Sequence, residues 1–160
     1  MLALALILLR PNYMQTVSAM TLGQATQLIQ SCVHQMNSRY RKVVFDEWAI
    51  ISLEENKGRL LNYVGPRKEG FQKNFFSDAG SLRTGMFAKD YDPGHFEFER
   101  HGVGTGFEAF MVLGQGLYLI CNNTVQSMDT IAKDPQWLAA QVPFVELSEQ
   151  ICTEPVSLEG

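Results

Sequence analysis

The chain has 160 residues, 46% of them hydrophobic and 19% charged, enough for one core that needs no disulfide or metal staple. Thirteen basic against seventeen acidic residues leave a formal charge of −4, which argues against a surface that tracks phosphates, so no nucleic-acid partner is expected. The three cysteines, Cys32, Cys121 and Cys152, lack CxxC spacing and lie within apolar patterns. Each reads as a small buried hydrophobe in a reducing compartment, and the expected localisation is cytoplasmic.

Met1–Leu9 is apolar for nine residues before Arg10-Pro11-Asn12 ends the run. That is about half of the ~20 residues a membrane-spanning helix needs, so no stable membrane insertion is expected. The run has the length of a signal-peptide core, with Val17-Ser18-Ala19 as a cleavage candidate, but no basic segment precedes it. Residues 1–20 are read as an extension, non-native or dispensable in preference to an anchor or an export signal, and Met20 as a natural start. The single domain is then expected over residues 21–152, with a tail at 153–160.

Thr21-Leu22-Gly23-Gln24 fits a capping box, and Leu22, Ala25, Leu28, Ile29, Cys32, Val33 and Met36 recur at helical spacing, predicting an amphipathic helix of about 18 residues. The basic cluster Arg39-Tyr40-Arg41-Lys42 follows it, where cations suit the carbonyl end of the helix dipole. Val43–Leu53 turns extended, and Trp48–Ile51 is apolar at every position, which predicts a strand covered on both faces. Glu54–Gly58 supplies the turn and Arg59–Val64 the hairpin partner, stopped by Gly65-Pro66. Arg67–Gly85 reads as a weak helix with Phe71, Phe75 and Phe76 on one face and Gly70 and Gly80 lowering its intrinsic stability. Such a helix depends on what it packs against and could lie on the sheet or in an oligomer interface, for which Phe71, Phe75 and Phe76 are the candidates.

His95–His101 alternates strictly. Phe96 and Phe98 face the core and, on a strand beside the weak helix, join the interface candidates, while His95, Glu97, Glu99 and His101 share the other face. Two imidazoles and two carboxylates are donors a divalent metal could use, but same-face side chains on a strand stand nearly ~7 Å apart, so a solvated face is the preferred reading and no metal or other cofactor is expected. Gly104–Ala109 formally satisfies G-x-G-x-x-Ala, yet it runs from strand to strand, not into a helix, and reads as a hairpin loop. Phe107–Leu113, the turn Gly114-Gln115-Gly116 and Leu117–Cys121 form the clearest hairpin, followed by a helix capped at Thr124. Asp134-Pro135 and Pro143 are expected to divide the C-terminal helix into Pro135–Gln141 and Pro143–Ile151, packed through Trp137, Leu138, Phe144, Val145, Leu147 and Ile151. Glu154–Gly160 is expected to fray.

The assembled order predicts an α+β domain, a five-stranded antiparallel sheet with flanking helices in the order α-β-β-α-β-β-β-α. With the segments FDEWAIISL, RLLNYV, FEAFMVL and LYLICNN in that order, the chain resembles the roadblock (dynein light chain) family and the wider profilin-like group over roughly Thr21–Ile151. The resemblance implies a non-catalytic adaptor that homodimerises and binds or regulates a small Ras-like GTPase. The alternative is a small-ligand sensor, with Tyr63, Tyr118 and Asn122 as the polar groups that would converge on a pocket between sheet and helices. No nucleophile elbow or triad context is present, and no enzymatic activity is expected.

Overall fold

The computed structural model describes residues 19–40, 44–55, 57–76, 91–100, 107–123 and 133–159. The elements follow in the order α1 (Leu22–Arg39), β1 (Glu47–Glu54), β2 (Lys57–Val64), α2 (Lys68–Phe75), β3 (Phe96–Arg100), β4 (Phe107–Gly114), β5 (Leu117–Asn123) and α3 (Trp137–Thr153). All strand pairs are antiparallel, and the five strands form one sheet in the order β2-β1-β5-β4-β3. The fold is therefore the α+β arrangement expected from the pattern of apolar periods.

Alternation along the strands assigns the two faces of the sheet. Trp48, Ile50, Met111, Leu113, Leu119 and Cys121 face the layer made by α1 and α3, where Ile29, Met36, Phe144 and Ile151 are fully buried. Ala49, Ile51, Phe110, Val112 and Ile120 face the other way, under α2. Both faces of the Trp48–Ile51 run are thus covered, as its unbroken hydrophobicity requires. The capping box of α1 has both arms: Thr21 Oγ1 accepts from the Gln24 amide at 3.1 Å, and Gln24 Oε1 accepts from the Thr21 amide at 3.0 Å. The β4–β5 turn needs Gly116, whose φ of +67° a side chain with a Cβ takes only with strain.

Four expectations need correction. The C-terminal helix is not divided at Pro143: α3 runs unbroken from Trp137 to Thr153 with Pro143 buried inside it. Proline withdraws the N–H that the Ala139 carbonyl would have accepted, and Arg39 Nη1 from α1 approaches that carbonyl at 3.5 Å instead. Leu138 and Val145, expected to pack, are 78% and 38% exposed because helical phase turns them outward, away from Phe144 and Leu147.

The stretch after α3 does not fray. Val156 is buried, its amide donates to the Leu113 carbonyl at 2.8 Å, and Ser157 N and Met20 N bond to Met20 O and Pro155 O at 2.9 Å each. Met20 and Val156 therefore belong to the domain, which extends past both ends of the 21–152 expected. Last, Cys152 is exposed, while Cys32 and Cys121 are buried as expected.

Candidate functional site

The polar groups with the most connected geometry lie on the α2 side of the sheet. Glu47 opens β1 in phase with Ala49 and Ile51, so its carboxylate is carried onto the buried α2-side face of the sheet and is 2% exposed. Desolvation at such a place is tolerated only when donors replace water. Three do. Tyr63 Oη donates to Oε1 at 2.6 Å, and Arg67 Nη2 and Asn122 Nδ2 donate to Oε2 at 2.9 and 3.0 Å. The Arg67 amide, at the N-cap of α2, donates to Tyr63 Oη at 3.0 Å. One carboxylate thereby ties β1, β2, β5 and the start of α2 together.

Burial, and then the hydrogen bond to Glu47, pushes the Tyr63 phenol up to about 12, so it remains a donor throughout the physiological range. Asn122 sits between two acids in the strand register, with Glu47 opposite on β1 and Glu108 opposite on β4. All three are buried. A carboxylamide can turn its NH2 toward only one neighbour; here it faces Glu47, and Asn122 Oδ1 accepts no hydrogen bond among the described residues. A carboxylate held by three donors and shielded from solvent acts as a clamp.

Of the three residues expected to line a pocket, Tyr63 and Asn122 meet at Glu47, and Tyr118 lies half-buried on the same face, packed against the second core. Glu47 and Arg67 were not singled out in the sequence, although an acid in phase with apolar residues on a buried strand face is a readable signal. A groove of about 300 Å³ lies elsewhere, on the helical side, lined by Met20, Gln24, Gln27, Leu28, Gln150 and Glu154.

Of the two placements open to the weak helix, the described residues show the one on the sheet. Phe71 is 2% exposed and its ring packs on Tyr63 at 5.4 Å, while Phe76 is buried over Gly58 of β2. Both belong to the monomer's second core, so neither offers a surface to a partner. The Phe75 side chain lies outside the described residues. Phe96 and Phe98 are half-buried in an aromatic cluster, with centroids 5.2 Å and 5.3 Å from Phe144 and Phe98 5.1 Å from Trp137.

On the opposite face of β3, His95 stacks on Tyr91 with centroids 3.8 Å apart, and its Nε2 lies 3.4 Å from Glu97 Oε2. More than a third of each side chain is exposed although His95 Nε2 itself is buried and makes no hydrogen bond among the described residues, so the pair contributes little to stability. The Glu99 side chain and His101 lie outside the described residues. Among the described residues no group of three or more His, Cys, Asp or Glu is gathered for a metal, and no helix is long and apolar enough to cross a membrane. Burial, with Glu146 adding to it, pushes the Cys32 thiol up to about 12, and burial raises Cys121 as well.

Comparison with family models, with curated proteins and with solved structures finds no match. Any functional reading therefore rests on the residues and the architecture themselves.

Proposed function

We propose that the protein is a non-catalytic, dimerising interaction module of the roadblock kind, working in the cytoplasm. The observation that carries this reading is the place of β3, which the order of the described strands leaves at one edge of the sheet, with β2 at the other. The Val112 amide donates to the His95 carbonyl, so alternation along the antiparallel ladder turns that carbonyl and the backbone groups of Glu97 and Glu99 toward β4. Those of Phe96, Phe98 and Arg100 then point away from β4, while the Phe96 and Phe98 rings anchor the strand against Phe144 and Trp137. A rigid edge of this sort suits strand-to-strand pairing with a second copy. The order of elements is also that of the roadblock-like group, whose members imply a small Ras-like GTPase as the partner class. Three cysteines without a disulfide suit a reducing compartment.

Concentration-dependent hydrogen exchange tests the edge. Slower exchange of the Phe96, Phe98 and Arg100 amides in the dimer supports the reading, and exchange that is indifferent to association refutes it. The small-ligand alternative is less well supported, because Tyr63 and Asn122 already engage Glu47 and the groove of about 300 Å³ lies on the other side of the sheet.

A further inference from the structure

The exposed large hydrophobic residues of the helical layer gather on α3. Leu138, Val142 and Val145 are 78%, 41% and 38% exposed. Their spacing of four and three residues sets them on one stripe, and at 1.5 Å per residue the stripe is about 10 Å long. Glu149, four residues beyond Val145, continues the same stripe toward the C-terminus and is exposed. Lys133 lies just ahead of α3 at the other end and is exposed too. The stripe therefore has an apolar centre, a carboxylate at one end, and a cation beside the positive end of the helix dipole at the other.

Such a stripe is complementary to itself. Turned antiparallel about a two-fold axis near Gln141–Val142, a second α3 sets Leu138 against Val145 and brings each Glu149 to the other copy's helix N-terminus, where Lys133 lies beside Asp134, whose carboxylate is engaged by the Gln136 amide. We infer that α3 pairs antiparallel with α3 of a second copy through Leu138, Val142 and Val145. α3 carries two glutamates, Glu146 and Glu149, and no basic residue, so a parallel pair would bring acids together, and charge selects the antiparallel copy. A single helix pair buries less than the ~800 Å² per partner of a standard interface, so the contact is weak and forms at tens of micromolar or above. It goes beyond the β3 edge and does not depend on it: with both surfaces active the chain assembles past the dimer, and with α3 alone it stops at two.

Sedimentation equilibrium of the full chain from about 1 to 300 µM tests this, a range chosen to bracket micromolar association. Leu138→Glu and Val142→Glu lie on exposed positions, and circular dichroism checks that each folds. Each is expected to weaken the α3 contact at least about tenfold, Lys133→Glu to weaken it less, and Lys133→Glu with Glu149→Lys to restore it. Restoration by the charge reversal is specific to antiparallel copies. Association unchanged in both Leu138→Glu and Val142→Glu, or failure of the reversal to restore it, overturns the inference; so does a monomer throughout the range. Hydrogen exchange of the β3 amides in the Leu138→Glu variant separates the two surfaces, because an edge-paired dimer keeps its β3 protection when the α3 contact is lost.

Discussion

Tyr63→Phe isolates the clamp around Glu47 with a change of one atom. The hydroxyl donates to a buried carboxylate at 2.6 Å and accepts from the Arg67 amide at 3.0 Å. A hydrogen bond to a charged group contributes about 1.5–3 kcal/mol. Arg67 is exposed, so its amide recovers a bond to water, and Glu47 keeps Arg67 and Asn122 as donors. The expected loss is therefore about 2 kcal/mol, near the lower part of that range. For a chain of this size it lowers Tm by about 4–8 °C. Urea unfolding followed by tryptophan fluorescence measures it, with the slope m unchanged because the fold stays as compact. A loss under about 0.5 kcal/mol would mean that Glu47 does not depend on Tyr63, and the clamp would be an accident of proximity.

Further outcomes follow from the same structure. The folded phenol of Tyr63 titrates at about 12 against an ordinary 10, so its contribution to stability is complete below pH 10 and is lost as the pH rises toward 12; Tyr63→Phe should flatten that part of an alkaline stability profile, and an unchanged profile would contradict the assignment. In native protein at pH 8, an alkylating reagent followed by mass spectrometry should add one label, on Cys152, with Cys32 and Cys121 reacting only after unfolding; rapid labelling of Cys32 would contradict its burial. A Cβ on Gly114 would run into the Val156 carbonyl, so Gly114→Ala should displace the C-terminal stretch and destabilise the chain by about 1–3 kcal/mol in urea unfolding, an effect a frayed tail could not produce.

How much of this was legible in the sequence differs from element to element. The Thr21–Gln24 cap and the doubly buried Trp48–Ile51 run were readable because each depends on local spacing alone. Pro143 misled because propensity speaks only for an isolated helix, whereas α3 is held by Phe144, Leu147 and Ile151 and borrows a donor from Arg39. Val156 was unreadable for a similar reason: its partners, Leu113 and Met20, are far away in sequence. The three phenylalanines of the weak helix showed that it must pack, but not whether on the sheet or in an interface. For Phe71 and Phe76 the answer is a second core, built because the sheet has two apolar faces. In the clamp, Tyr63 and Asn122 were picked out for their chemistry, whereas the residue that organises them, Glu47, is signalled by its phase with Ala49 and Ile51 on a buried strand.

Hydrogen exchange across β3, read against protein concentration and paired with sedimentation, tests the central claim most directly. A dimerising edge predicts a mass of two chains or more and slowed exchange at Phe96, Phe98 and Arg100 as the dimer forms. A monomer at about 100 µM, with β3 amides exchanging at one rate throughout, would contradict it.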